Sequence, residues 1–228
     1  MSQYASWEKE YNNPKLITNS NEPQVAFKDF VKWLRRKQGV DISGLSVLDL
    51  GSGTGKNSIY LAKSGAQTFG IELSKKAVEM SEKQVRIAEV PAKFIQGSFG
   101  EKFPFEDNSF DLVLDITSSN SLDEAERTIY LSEVLRTLRP DGYMFVRTLC
   151  KDGDKNAKNL LKLNPGKERD TYTMKDIGLT ERVFSKEDFV QMYSKDFEIL
   201  NMEKTTSYTS FGGQSYKRNF WLAYLKKK

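Results

Sequence analysis

The sequence predicts an α/β chain built on a doubly wound, mostly parallel sheet of seven strands with helices on both faces. Three observations predict it. Short apolar segments alternate with amphipathic ones from residue 46 to 149. The first apolar segment runs straight into a glycine-rich turn, Gly51-Ser52-Gly53-Thr54-Gly55, and the second ends in an acid, Glu72. Alternation of this kind covers a parallel sheet with helices on each side.

The elements follow in order. Residues 1–22 are polar, with Trp7 and Tyr11 one helical turn apart. Val25, Phe27, Phe30, Val31 and Leu34 recur at helical spacing between Pro23 and Gln38, and Gly39 closes that helix. Ser46–Leu50 is the first strand and Lys56–Lys63 the helix after the turn, stopped by Gly65. Thr68–Glu72 is the second strand. Ser74 caps a helix running to about Ala88. Lys93–Gln96 and Phe110–Asp115 are the third and fourth strands. A helix from Leu122 to Leu138 is closed by Pro140-Asp141-Gly142, and Tyr143–Leu149 is the fifth strand. Residues 151–184 are rich in Lys, Asn and Asp around Pro165-Gly166, which predicts an irregular insertion. Ser185 with Asp188 forms a capping box for a helix through Tyr193. Phe197–Lys204 and Arg218–Leu225 are two last strands joined by a long loop containing Gly212-Gly213.

Composition narrows the function classes. The chain has 228 residues, enough for one α/β domain and short for two. A net charge of +4 is mild, Lys226-Lys227-Lys228 supply three of the positive charges, and Lys and Arg are interspersed with Asp and Glu. That pattern fits a solvated surface rather than the basic stripe of a nucleic-acid binder. The single cysteine, Cys150, excludes an intramolecular disulfide and a thiolate metal cluster, and reads as a small buried hydrophobe. The absence of histidine removes Ser-His-Asp triads and His-ligated metals, so no metal site is expected. The N-terminal stretch has no apolar signal-peptide core and no apolar run reaches membrane-spanning length. A cytoplasmic protein without membrane attachment is expected.

The turn after the first strand carries the strongest chemistry. Glycines let the backbone bend tightly and approach a ligand without a Cβ clash. In a doubly wound sheet the turn lies at the carboxyl ends of the strands, near the switch in strand order. Glu72, 21 residues after Gly51, is placed to accept hydrogen bonds from both hydroxyls of a ribose. The spacing is G-x-G-x-G, with Lys56 where the nicotinamide fingerprint needs its shifted third glycine.

The stretch Val47-Leu48-Asp49-Leu50-Gly51-Ser52-Gly53-Thr54-Gly55 resembles the first motif of class I S-adenosylmethionine-dependent methyltransferases. The resemblance extends over about residues 45–149, through Gln96-Gly97-Ser98-Phe99, Phe110–Asp115 and Leu135–Gly142. It implies a Rossmann-like methyltransferase fold whose last two strands form a closing antiparallel hairpin, the final strand inserted beside the fifth. It also implies S-adenosylmethionine as donor and S-adenosylhomocysteine as product. Gly51, Gly53 and Gly55, with Ser52 and Asn57, would wrap the methionine and sugar. Asp49 would hold the loop or face the donor amino group, and Glu72 would take the ribose diol. Leu73, Phe99, Asp115 and Ile116 would complete the donor site. Ser98 replaces the family's usual acid, its hydroxyl still able to bond the adenine amino group. The segment Gly55–Ala62 also resembles small-molecule methyltransferases of the thiopurine and tellurite-resistance type. On this resemblance the chain divides into an N-terminal helical cap (1–44), a donor-binding core (45–149), an insertion covering the acceptor side (150–184) and a last helix with the closing hairpin (185–228).

Methyl transfer needs alignment and exclusion of water more than a strong base, which suits a chain without histidine. After the fourth strand the sequence is Asp115-Ile116-Thr117-Ser118-Ser119-Asn120, without the paired prolines of enzymes that methylate base amino groups. Asp115 and Asn120 either touch donor or acceptor, or are a strand cap and a polar loop. Trp7 and Tyr11 either form a lid or pack a terminal helix. Tyr172 and Arg182, with Arg169, lie in the insertion; Tyr216 and Arg218, with Tyr208, flank the last loop. Arginines there either clamp an acidic acceptor or form surface ion pairs. The expected acceptor is a small molecule, with the protein a monomer or weak homodimer. An RNA or protein acceptor, and a non-catalytic module of the same fold, are the alternatives.

Overall fold

A computed structural model describes residues 3–16, 22–211 and 213–228. Seven strands form one sheet in the order β3-β2-β1-β4-β5-β9-β8. The parallel part comprises β1 (Ser46–Leu50), β2 (Gln67–Glu72), β3 (Ala92–Gln96), β4 (Phe110–Ile116) and β5 (Leu138–Leu149). The closing hairpin of β8 (Phe197–Phe211) and β9 (Gln214–Lys227) is antiparallel, with β9 against β5. The doubly wound, mostly parallel sheet and its final hairpin are as expected.

The pleat sorts the core into two layers. Val47, Leu112, Leu114 and Phe145 face α2 (Val25–Trp33) and α3 (Lys56–Ala62). Their chain neighbours Leu48, Val113, Met144 and Val146 face α5 (Glu124–Thr137) and α7 (Lys186–Tyr193). Side chains one residue apart on a strand point to opposite faces, so continuous apolar strands serve both layers. α2 continues as a π-helical turn, Leu34–Gln38, and stops at Gly39 (φ 68°). α4 (Lys75–Ala88) is capped by Ser74, whose hydroxyl accepts the Ala77 N–H at 3.1 Å. Among the described residues no helix is long and apolar enough to cross a membrane.

Four local expectations are corrected. β5 begins at Leu138, so Pro140-Asp141-Gly142 lies inside a strand rather than before it. Leu138 pairs with Phe110 and Tyr143 with Leu112, so residues 139–142 bulge out, with Asp141 left-handed at φ 61° and Pro140 lacking a donor. α5 starts after Asp123, whose side chain forms a reciprocal capping box with Glu126. The insertion is ordered: α6 (Lys155–Leu163), capped by Asp154, precedes a hairpin of β6 (Thr171–Met174) and β7 (Leu179–Arg182). The last two strands extend to a Phe211–Gln214 pair, replacing the long loop; Gly212 lies outside the described residues. Its Thr- and Tyr-bearing ribbon forms strand although it buries little, because such side chains suit a pleated, half-buried surface.

Candidate active site

The glycine turn joins β1 to α3 with Gly51, Gly53 and Gly55 all at positive φ. All three positions also lack room for a side chain. A Cβ on Gly51 would lie 2.6 Å from the Ser118 side chain, and one on Gly53 would lie 2.7 Å from the Tyr11 hydroxyl. Glu72, at the tip of β2, holds the turn from beside it. Its Oε2 accepts the Gly53 N–H and its Oε1 the Ser74 N–H, both at 2.8 Å. Burial raises the Glu72 carboxyl above the usual range, and these backbone donors pull it back.

Asp49 sits behind the turn and off the cavity wall. Its Oδ2 accepts the Ser58 hydroxyl at 2.8 Å, which ties β1 to α3, and burial pushes the carboxyl up to about 7. Gly55 is likewise behind the wall, where its Cβ would meet Phe94 at 2.6 Å. Asp115 is fully buried and accepts the Ser118 and Ser119 N–H groups and the Tyr130 hydroxyl, bracing the chain as it leaves β4.

One cavity of about 1140 Å³ opens over the turn. The wall nearest the turn brings together Gly51, Ser52, Gly53, Asn57, Glu72 and Leu73, and further along Ser98, Phe99 and Ile116. Ser52 Oγ, Thr54 Oγ1 and Asn57 Oδ1 are buried on this wall with no hydrogen-bond partner among the described residues. Buried polar atoms without partners are costly. Their cluster beside glycines that leave no room for a Cβ fits a polar ligand seated on the turn. Phe99 offers an aromatic face and packs edge-on to Tyr130 at 6.0 Å.

The terminal helix α1 (Tyr4–Asn12) lies across this wall and contributes Gln3, Trp7 and Tyr11 to it. It is tied down at its start and at its middle. Gln3 bonds Ser121 O at 2.5 Å and Thr180 O and N at 2.8 and 2.6 Å. Glu8 accepts from Ser74 Oγ at 2.7 Å and the Lys76 N–H at 3.2 Å. These clamps are ordinary polar residues in a polar segment, and no sequence signal marks them.

Residues 47–142 match the methyltransferase domain family. Over that stretch the chain resembles a methyltransferase domain, and its fold is shared with solved S-adenosylmethionine-dependent methyltransferases. A phthiotriol/phenolphthiotriol dimycocerosates methyltransferase of Mycobacterium tuberculosis is 31% identical over 144 residues, 61% of this chain and 51% of that one. A fatty-acid O-methyltransferase of Mycolicibacterium smegmatis is 34% identical over 105 residues, 45% of this chain and 36% of that one. The chain thus spans about half or less of the length of these curated relatives. A Burkholderia thailandensis 1,6-didemethyltoxoflavin-N1-methyltransferase, solved with bound 1,6-didemethyltoxoflavin and S-adenosylhomocysteine, superposes with a TM-score of 0.73. It is 15% identical and covers 99% of this chain and 87% of that one.

The far wall of the cavity comes from the insertion and the closing hairpin. Arg218 and Tyr216 line it, as does the exposed Tyr208. Arg218 donates to Asp154 Oδ2 at 3.2 Å and to the Tyr172 hydroxyl at 3.0 Å. Tyr172 in turn donates to Glu181 Oε2 at 2.6 Å, and Asn120 to Glu181 Oε1 at 3.0 Å. Tyr172 and Asn120 therefore stand behind Glu181, which reaches the cavity. Arg182 is off the wall, with its guanidinium 5.0 Å from the Phe184 ring centroid. Arg169 is exposed and pairs with Asp170 and Asp188, both at 3.5 Å. Cys150 is fully buried, and burial pushes its thiol up to about 12. Sequence reasoning missed Arg147, Thr117 and Glu181 on the wall. Arg147 had a signal: it is the one charge in the apolar run Tyr143–Leu149.

Proposed function

We propose that the protein transfers a methyl group from S-adenosylmethionine to a small-molecule acceptor held in the same cavity. The observation that carries this is the cavity's continuity from the glycine turn to the insertion and hairpin. At about 1140 Å³ it exceeds the roughly 300–1,000 Å³ of a site for one drug-sized ligand, so it has room for donor and acceptor together. Its cover of α1, insertion and hairpin favours a small acceptor over a macromolecule.

S-adenosylmethionine supplies an activated methyl on a sulfonium for in-line displacement by a nucleophile. The chain's part is to bind and align. Each Glu72 oxygen accepts one backbone N–H and keeps a free lone pair for one ribose hydroxyl. The unpartnered Ser52, Thr54 and Asn57 atoms receive the polar amino-acid end, while Leu73, Ser98, Phe99 and Ile116 bound the adenine. Trp7 and Tyr11 exclude water from above. Asp49 and Asp115 act as struts. Among the carboxylates on the wall, Glu181, held by Tyr172 and Asn120, is the one we assign to take a proton from an acceptor that must lose one.

Calorimetric titration with S-adenosylmethionine and S-adenosylhomocysteine tests the donor site. Binding of either by the wild type, weakened about tenfold or more by Glu72→Ala through loss of two charge-assisted bonds, is expected. A folded protein that binds neither would defeat the proposal. Equal affinity in the variant would defeat the ribose assignment.

A further inference from the structure

The wall of the cavity carries a buried cation without a countercharge. Arg147, on β5, is 9% exposed. Its guanidinium lies 3.5 Å from the Phe220 ring centroid, and donates to Thr117 Oγ1 at 2.5 Å and Ser207 Oγ at 3.3 Å. Among the described residues no carboxylate is within ion-pair distance of it. The other buried arginines differ. Arg218 has Asp154, and Arg127 donates to three backbone carbonyls away from the cavity. Burial alone pulls the Arg147 guanidinium down to about 9. A buried charge without a partner is strongly destabilising, so a ligand anion is the natural complement of one that faces a cavity.

The surroundings are built to hold this cation. Thr117 is left-handed at φ 63°, a strained conformation for a β-branched residue, and its hydroxyl meets Arg147. Lys56 is another cation on the wall, and Arg147 disfavours its charge. Glu203 also lines the cavity, at the Leu222 register position it shares with Arg147, but it stands one strand further on, across β9, and is exposed. Around the guanidinium the wall is apolar: Leu149, Phe220, Leu222 and Tyr224.

We infer that Arg147 anchors the carboxylate of the acceptor, and that the acceptor is a carboxylate-bearing apolar molecule. The inference rests on the reading that donor and acceptor share this cavity. The donor also has a carboxylate, so its position matters. Glu72 on β2 and Arg147 on β5 are three strand spacings apart, about 14 Å. Lys56 opens α3 directly after the glycine turn and is the nearer cation for the donor's amino-acid end. The group on Arg147 is then the acceptor's. Its bidentate fork fixes the acceptor's orientation while the apolar walls take the rest.

The test titrates the protein saturated with S-adenosylhomocysteine with decanoate, 2-naphthoate and the two matching primary alcohols. The wild type is expected to bind at least one carboxylate about tenfold or more tighter than its alcohol. Arg147→Met is expected to lose that preference while still binding S-adenosylhomocysteine like the wild type, which also shows that it is folded. Arg147→Lys, which keeps the charge and loses the fork, is expected to fall between. A preference that survives in Arg147→Met overturns the inference, and so does a loaded wild type that binds neither carboxylate. Weaker binding of S-adenosylhomocysteine by Arg147→Met, with 5′-methylthioadenosine unaffected, assigns Arg147 to the donor carboxylate and also overturns it. A wild type that fails to bind S-adenosylhomocysteine overturns the underlying methyltransferase proposal instead.

Discussion

Replacing Asp49 with asparagine is expected to stabilise the protein, and only at higher pH. The carboxyl is 2% exposed, receives one side-chain hydrogen bond, from Ser58, and is pushed from its ordinary 3.8 to about 7, chiefly by burial and further by the negative field of Glu72. A folded-state pKa above the unfolded one means that the native state holds the proton more tightly. Stability from this group is fully present below about pH 4 and is lost progressively as pH rises towards 7. A shift of about three units at about 1.4 kcal/mol each gives a loss of up to about 4 kcal/mol. Asparagine keeps an oxygen for the Ser58 hydroxyl and cannot ionise. Urea unfolding of both proteins from about pH 4 to 8.5 should show near-equal stability at the acid end. Towards the basic end the variant should be ahead by up to about 4 kcal/mol, with similar m-values. Other titrations cancel in the difference. A difference that does not change with pH, or a wild type that gains on the variant as pH rises, would refute a buried, nearly unpaired carboxyl at this position.

Other perturbations test the site from different sides. Gly51→Ala combines a left-handed backbone with a Cβ at 2.6 Å from Ser118, so it should cost about 1–3 kcal/mol in chemical unfolding and weaken S-adenosylhomocysteine binding. Wild-type stability and affinity would remove the case for a close backbone approach. Gln3→Ala cuts three bonds that fasten α1, and should speed the release of S-adenosylhomocysteine in stopped-flow while leaving the melting temperature within a few degrees. An unchanged release rate would mean that the helix does not close on the donor. Cys150 should react with a thiol reagent at neutral pH far more slowly in the folded than in the urea-unfolded chain, because its thiol is buried and pushed up to about 12. Equal rates would contradict that burial.

The half of the molecule that reads clearly from sequence is the half whose information is local. A strand, a glycine turn and a helix are adjacent in the chain, so Gly51, Gly53 and Glu72 announce their geometry through spacing. The covering half is assembled from distant segments. Gln3 acquires meaning only because Ser121 and Thr180 fold against it. α6 is a helix with apolar residues at Ala157, Leu160 and Leu161, yet its surrounding Lys and Asn dilute the pattern below recognition. The candidate acids divide for the same reason. Asp49 and Asp115 end up behind the wall because the strand pleat turns them to where Ser58 and Tyr130 wait, and strand position alone does not say which face borders the cavity.

Several unfavourable features of this fold gather at one place. Asp49 carries a buried carboxyl, Thr117 a strained backbone and Arg147 an unpaired guanidinium, while Ser52, Thr54 and Asn57 hold polar atoms without partners. All lie at the carboxyl ends of neighbouring strands, on the loops that follow them or in the first turn of α3, whereas the layers beneath are apolar and closely packed. A sequence selected for stability alone would have no reason to gather these costs there. A binding site has one, since the orphaned atoms and Arg147 are relieved by groups that the ligands bring: hydroxyls and charged ends for the former, an anion for the latter. The relief should appear as linked stability. At about a hundred times its dissociation constant a ligand adds about 2.7 kcal/mol, so S-adenosylhomocysteine and a carboxylate added together should raise the unfolding midpoint more than either alone.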